Sequence, residues 1–192
     1  MKILHISANS FTVKNLLIPQ IDYLQQLGVT VEIGCALGRE ARQLQAQGYT
    51  VHQVQITRKF HLSSNLKDIF YLSKLLRQQH YDLLHVHTPF AAFIGRIAAK
   101  LARTPHTLYT AHGFPFHDQS SVIEYWTYFL LEKLAAPLSD LILTQSYEDF
   151  LTAQTKRLCH PRKIKYLGNG VDIDRFCKSR LNPHNQNYTH LS

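Results

Sequence analysis

A histidine and a glycine stand side by side where an apolar segment opens into an aromatic loop. In the run YTAHGFPFH, His112 and Gly113 follow the β-type residues 107–110. A histidine can donate or accept a hydrogen bond near neutral pH, and a glycine lets the backbone come close to a ligand. Loops at the carboxyl ends of strands hold the ligands of open α/β sheets. The pattern therefore predicts a ligand site at His112 and Gly113. His117 is a further candidate, or a cap for the next helix.

Polar residues also follow two other predicted strands. The loop after the first strand carries Asn9, Ser10 and Thr12, whose amide and hydroxyl groups are expected to face a cleft. It carries no glycine, so the backbone there is less able to approach a diphosphate closely. Thr88 ends the segment LLHVH and precedes Pro89, which suits the first turn of a helix.

Two histidines alternate on that same segment. His85 and His87 flank Val86, so in a strand both side chains point to one face. A zinc site usually takes three or four protein ligands, and no further ligand lies nearby in sequence. We therefore expect packing or loop anchoring here and no metal.

The elements that must position these residues alternate between strand-like and helix-like patterns up to about residue 169. Strands are predicted at residues 2–8, 29–34, 50–54, 83–86, 107–110, 141–144 and 164–166, with helices at 13–27, 39–47, 66–79, 91–102 and 122–136. Such alternation predicts an α/β fold, a single Rossmann-like doubly wound parallel sheet. One domain is expected over residues 1–180. Residues 181–192 are polar, lack a hydrophobic period, and are predicted to be a disordered tail.

Composition and charge limit the function further. The chain has 192 residues, 45% of them apolar, and a formal net charge of +8. Between residues 155 and 180, eight Lys and Arg stand against two Asp, which gives 8 − 2 = +6. A basic patch suits anionic phospholipid, a diphosphate-bearing acceptor or nucleic acid, or is simply a solvated surface. Nucleic acid is not expected, because no aromatics interleave these cations and no nucleic-acid-binding motif is present.

Targeting and redox signals are weak. The amino terminus has the pattern of a strand, and no apolar run approaches the roughly 18 residues of a membrane span. Cys35, Cys159 and Cys177 have no metal-ligand spacing and are expected to be free thiols. These features predict a cytoplasmic protein, with the basic segment allowing peripheral contact with the inner face of a membrane.

Three segments together resemble a known family. YTAHGFPFH, LLHVHTPFAAFIGRIAAKLA and KIKYLGNGVDIDRF, in this order and spacing, are similar to the amino-terminal half of retaining GT-B glycosyltransferases, family 4-like, of the polysaccharide-biosynthesis branch. The resemblance implies that His112 is a catalytic contact to the transferred sugar and that Thr88 lies on the acceptor side. It also implies that Asn169 and Gly170, in the turn LGNG, face an interdomain cleft.

The resemblance covers only the acceptor-side half of such an enzyme. It implies a nucleotide-sugar donor as substrate, no separate cofactor, and a sugar or lipid-linked acceptor. The glycine-rich turn, basic pair and glutamates that hold the donor in this family are not in the sequence, so the chain alone is expected to be inactive without a separate carboxyl-terminal donor-binding domain. A stand-alone, non-catalytic binding module on the same scaffold remains the alternative. A dinucleotide-binding site is disfavoured, because no G-x-G-x-x-G follows the first strand.

Overall fold

The fold is organised around one parallel β-sheet of seven strands. The computed structural model of the chain describes residues 1–54, 56, 62–116 and 120–170. The strand order is β3-β2-β1-β4-β5-β6-β7, and every neighbouring pair is parallel. The strands are β1 (Lys2–Ile6), β2 (Thr30–Cys35), β3 (Val51–Gln53), β4 (Leu83–His87), β5 (His106–Ala111), β6 (Leu141–Thr144) and β7 (Ile164–Tyr166).

Helices connect the strands as crossovers. The first crossover is one continuous helical run, in which a π-helical turn (Val13–Leu17) joins two α-helical pieces. The α-helices are α1 (Ser10–Thr12), α2 (Ile18–Gln26), α3 (Arg39–Ala46), α4 (Leu62–Gln79), α5 (Pro89–Ala102), α6 (Val122–Ala135) and α7 (Tyr147–Thr155). Short 3-10 turns follow α6 (Ala136–Leu138) and precede β7 (Pro161–Lys163). No helix in the described ranges is long and apolar enough to cross a membrane.

Both faces of the sheet are buried, as expected for a parallel sheet with helical crossovers. Leu4 and Ile6 of β1 point into the larger core cluster, which is built with α4, α5 and the end of α7. Ile33 of β2 points to the opposite face and packs with the helices α1 to α3. Gly95 fixes the distance between α5 and β4, because a Cβ there would lie 2.5 Å from Val86 Cγ1. Only a glycine lets the two elements pack this closely.

A buried ion pair joins α5 to α6. Arg96 is fully buried, and its two terminal nitrogens donate to the carboxylate oxygens of Glu132 at 2.7 and 3.0 Å. Its Nε donates to Ala92 O, and its guanidinium lies 4.6 Å from the centre of the Tyr109 ring. The sequence analysis did not single out either charged residue. The pair fixes α6 against the body of the domain.

The structure confirms the predicted fold class and each predicted strand. The main addition is α7, which the sequence analysis left out. Its apolar periodicity is weak, because Ala153 is its only fully buried residue. Its amino terminus was nevertheless marked by Ser146, whose side chain accepts a hydrogen bond from Asp149 N–H. The domain boundary at residue 180 and the tail at 181–192 lie outside the described residues and remain predictions.

Candidate functional site

The candidate site lies at the edge of the sheet where all strands have their carboxyl ends. From β1, the strand order proceeds in one direction through β2 and β3 and in the opposite direction through β4 to β7. The order therefore reverses between β1 and β4. Ligands of open α/β sheets bind outside the carboxyl ends of strands at such a switch point. Asn9 follows β1 and Thr88 follows β4, and both lie at this position.

An open cleft of about 250 Å³ occupies the switch point. Asn9 and Thr88 contribute its polar groups, while α5 contributes Phe90 and α6 contributes Tyr128. The rings of Phe90 and Tyr128 meet edge to face, with centroids 5.7 Å apart. A mostly apolar cleft with a few polar groups at one end is the usual form of a small-ligand site.

The three polar residues of the first loop have different local roles. Asn9 caps α1, since its Oδ1 accepts a hydrogen bond from Thr12 N–H at 2.7 Å. Ser10 is buried, and its hydroxyl donates to Glu40 Oε2 at 3.0 Å. Asn9 alone of the three lines the cleft. The ligand roles of Ser10 and Thr12 stay predictions. In the structure, both residues make hydrogen bonds at the start of the helix.

Thr88 has an unusual backbone for a β-branched residue. Its φ is 64° and its ψ is 141°, a region that side chains rarely adopt. Its Oγ1 accepts a hydrogen bond from Ala8 N–H at 3.2 Å, and its carbonyl accepts from Ala92 N–H at 2.8 Å. These contacts hold the strained residue at the junction of the two strand ends. Backbone strain of this kind concentrates at functional sites.

A chain of hydrogen-bonded side chains extends from β1 to the residue directly after β6. His5 Nδ1 lies 3.1 Å from His87 Nε2, and His87 Nδ1 lies 3.1 Å from His112 Nε2. His112 Nδ1 lies 2.7 Å from Gln145 Oε1. Because a carbonyl oxygen only accepts, the network assigns the hydrogen of each ring to Nδ1 and leaves each Nε2 as an acceptor. His112 is therefore fixed through both of its ring nitrogens.

Burial keeps these histidines neutral. It lowers the pKa of His5 from 6.5 to about 4. The pKa values of His85 and His87 are well below the usual range, first through burial and then through the neighbouring histidines. The pKa of His112 is also lowered by burial, against an opposing effect of its hydrogen bond to Gln145. The chain of hydrogen bonds requires neutral rings, because a ring that donates through Nδ1 and accepts through Nε2 carries a single hydrogen.

His5 adds a third ring to the two that the sequence analysis considered as metal ligands. Potential ligand nitrogens of His5, His85 and His87 all lie within 4.8 Å of one another. One nitrogen each of His5 and His87 is used in their mutual hydrogen bond, and His85 Nε2 lies 2.8 Å from Thr110 Oγ1. These hydrogen bonds join neighbouring strands, and the role expected from the sequence for His85 and His87 was packing or loop anchoring.

Two residues that the sequence analysis missed anchor the loop after β5. Gln145 binds His112, and the carboxylate of Asp149 accepts from Phe114 N–H, with both oxygens at 3.3 Å. Gly113 lies between these anchors with φ at 137°, and a Cβ there would meet no atom within 4 Å. Glycine is thus needed at this position because of the positive φ, which residues with a Cβ rarely adopt, and not because of a lack of space. The signal for Gln145 was its position directly after a predicted strand.

The remaining candidates lie elsewhere or outside the described residues. Asn169 and Gly170 are exposed and follow β7 at the same edge of the sheet. Neither lines the cleft at the switch point. His117 lies outside the described residues. The ligand-binding roles of all three stay predictions.

Comparison with known proteins gives one family. The family model described as "Glycosyl transferase 4-like" matches residues 2–146. An α-1,3-galactosyltransferase of Escherichia coli, named for UDP-Gal and α-D-GlcNAc-diphosphoundecaprenol, is 32% identical over 121 residues, which are 63% of this chain and 31% of that protein. The putative glycosyltransferase EpsD of Bacillus subtilis is 29% identical over 177 residues, which are 91% of this chain and 45% of that protein.

The same extent of coverage holds for solved structures. The crystal structure of Anabaena HepE in complex with UDP and glucose matches with a TM-score of 0.66 and 20% identity, over 91% of this chain and 46% of that one. At this identity the likeness shows the fold. The chain thus spans less than half the length of these relatives.

Proposed function

This chain belongs to the glycosyl transferase 4-like family, and we propose that it is the acceptor-binding half of a glycosyltransferase that moves a sugar from a nucleotide-sugar to a glycan or lipid-linked acceptor. The observation that carries the proposal is the cleft at the switch point between β1 and β4. It joins polar groups of Asn9 and Thr88 to the aromatic wall of Phe90 and Tyr128. Sugars and lipid-linked sugars present both polar and apolar surface, and this lining suits both.

We assign the acceptor to this cleft because of its position and composition. The E. coli relative is named for an acceptor that combines a sugar, a diphosphate and a polyprenol. In the present chain, Thr88 and Asn9 are proposed to hydrogen bond an acceptor hydroxyl, and Phe90 and Tyr128 are proposed to stack on a sugar ring, because all four line the cleft. Gly170 and Asn169, at the same edge, are proposed to face the donor-binding half.

His112 is proposed as the catalytic contact of this half to the transferred sugar. It lies at the carboxyl end of a central strand, and hydrogen bonds on both sides fix its ring. Such fixation holds a contact in place without reorganisation during the reaction. Gly113 leaves open space beside it. The proposed reaction retains the configuration of the sugar and needs no cofactor besides the nucleotide-sugar, which is its substrate.

Activity is proposed to require a second half. The relatives extend well beyond the matched region, and a nucleotide-sugar must be held by groups on the far side of the cleft. The isolated chain is therefore proposed to be inactive, and to act in the cytoplasm at the inner face of the membrane, where lipid-linked acceptors are accessible.

Binding to the isolated chain tests this assignment. The probes are a short-chain lipid diphosphate carrying N-acetylglucosamine, and UDP-galactose. By NMR, the acceptor probe should shift the backbone amides of Asn9 and Thr88, whereas UDP-galactose should leave them unchanged. Tyr128→Ala should weaken acceptor binding, while Tyr23→Ala, an exposed tyrosine of α2, should not.

Two outcomes would contradict the proposal. Turnover of UDP-galactose by the isolated chain would show that this half already contains a donor site. Failure of the acceptor probe to bind, together with tight binding of an unrelated ligand in the cleft, would favour the alternative of a non-catalytic binding module. Restored transfer on adding the carboxyl-terminal half of the B. subtilis relative would support the proposal directly.

A further inference from the structure

One side of α6 exposes a continuous apolar stripe. Its five side chains are between 52% and 81% exposed. The last four recur at intervals of three or four residues and the first lies four residues before the tryptophan, which places all five on one side of the helix. They are Val122, Ile123, Trp126, Leu130 and Leu134. From first to last, the stripe extends about 18 Å at 1.5 Å per residue. Exposed apolar patches of this continuity mark interaction sites.

The stripe is separate from the face that α6 uses for folding. Glu132 and Ala135 are buried, and Tyr125, Tyr128 and Phe129 pack against the core. Tyr128 also lines the cleft at the switch point. The helix is therefore apolar on both sides, and the side that carries the stripe is left exposed within the described part of the chain. The stripe lies on the same helix as one wall of the proposed acceptor cleft.

Cations border the stripe, most of them toward its carboxyl-terminal end. Lys133 Nζ donates to the carbonyl oxygens of Lys156 and Arg157, which brings the end of α7 against α6. Lys156 Nζ in turn lies 5.9 Å from the centre of the Tyr125 ring, whose own centroid is 5.7 Å from that of Trp126. Lys163 Nζ donates to Pro137 O and Ser139 O, directly after α6.

The acidic residues of α6 do not neutralise this end. Glu124 lies at the amino-terminal end, where its carboxylate caps the helix with Ser121. Glu132 points inward to Arg96. An exposed apolar stripe that contains a tryptophan and is bordered by lysine and arginine suits contact with the headgroup region of an anionic membrane, where aromatic rings are enriched and cations are attracted.

We propose that α6 docks the chain on an anionic phospholipid bilayer. The stripe inserts at the level of the headgroups, and Lys133, Lys156, Arg157 and Lys163 contact lipid phosphates. The docking requires neither the sugar donor nor the acceptor, so membrane binding can be tested separately from sugar transfer. If the acceptor is lipid-linked, as the proposed function has it, docking through α6 brings the cleft beside Tyr128 to the membrane surface.

The chain contains a direct reporter of this contact, because Trp126 is its only tryptophan. The full 192-residue chain is mixed with vesicles of phosphatidylglycerol and phosphatidylcholine in equal parts, or of phosphatidylcholine alone. With the anionic vesicles, we expect the fluorescence of Trp126 to shift to shorter wavelength and to become protected from iodide. Added salt should reverse both effects, because the cations lie near the surface.

Variants separate the apolar and electrostatic contributions. In co-sedimentation, Lys156→Gln with Arg157→Gln should weaken partitioning about 25-fold, at about fivefold for each cation. Trp126→Ser with Leu130→Ser should abolish binding at moderate salt. The matched control is Tyr23→Ser on α2 with Leu27→Ser directly after it, a pair with the same spacing and with 61% and 63% exposure, which should bind like the unmodified chain.

Three results would overturn the proposal. The first is no binding to anionic vesicles at low salt. The second is unchanged vesicle binding by the Trp126 and Leu130 variant, since the contact would then be electrostatic and would not involve the stripe. The third is a blue shift of Trp126 that grows with protein concentration without vesicles and accompanies a doubled mass in sedimentation, which would assign the stripe to a second copy of the chain.

Discussion

Nδ1 of His112 donates a 2.7 Å hydrogen bond to Oε1 of Gln145, which lies directly after the neighbouring strand. This contact, together with the one from His87, sets which ring nitrogen of His112 carries its hydrogen. His112, the proposed contact to the transferred sugar, lies directly after β5 and is thus held between His87 of β4 and Gln145, directly after β6.

Two different substitutions of Gln145 should move the pKa of His112 in opposite directions. Gln145→Leu removes a partner that raises this pKa, so the pKa should fall further below its usual value. Gln145→Glu places a carboxylate beside the ring and should raise the pKa. NMR titration of the isolated chain measures both, with His112→Gln identifying the signal. Equal pKa values in the two variants would refute the contact.

The buried histidines should make the fold sensitive to acid. The folded-state pKa of His5 is about 4, below its ordinary value of 6.5, so the unfolded chain binds more protons between these values. The free energy of unfolding should therefore be highest above about pH 6.5 and fall as the pH drops toward 4, by roughly 3 kcal/mol from His5 alone. Urea denaturation across this range measures the slope.

A pair of variants assigns that slope to the buried rings. His5→Leu removes one group that must stay neutral, so it should flatten the dependence on pH even if it lowers stability at pH 7. His106→Gln replaces an exposed histidine at the start of β5 and should leave the slope unchanged. An equal slope in the His5 variant and the unmodified chain would contradict the assignment.

Removing one partner of the buried ion pair should cost more than removing both. Glu132→Leu leaves the guanidinium of Arg96 buried without its counter-ion and should lower the free energy of unfolding by about 3–5 kcal/mol. Adding Arg96→Met should recover much of that loss, since an apolar pair of similar volume replaces the charges. Urea denaturation of the single and double variants gives the coupling, and strictly additive losses would argue against it.

Thr88 should hold the loop after β1 through its hydroxyl. Thr88→Val removes the acceptor for Ala8 N–H and should cost about 1 kcal/mol. It should also speed hydrogen exchange of the Ala8 amide. Thr88→Ser keeps the oxygen and should leave that exchange near its original rate. Unchanged exchange in the valine variant would show that the contact does not protect this amide.

The sequence by itself determined the layered fold and the edge at which the site lies. Short apolar strands alternating with helices admit few arrangements besides a doubly wound parallel sheet, and the polar residues after those strands must then meet at one edge. The sequence alone therefore predicted that Asn9, Thr88 and His112 lie at one edge of the sheet. The local pattern also marked α6 at residues 122–136, whereas its cap Ser121 was not singled out from the sequence.

Only the tertiary structure decided which residues became partners across that edge. His5 and His87 are 82 positions apart, and they meet because β1 and β4 are neighbours in the strand order, which no local pattern specifies. Gln145 joins His112 for the same reason. Periodicity could not say which side of α6 stays exposed, because both sides are apolar and the buried side is set by what packs against it.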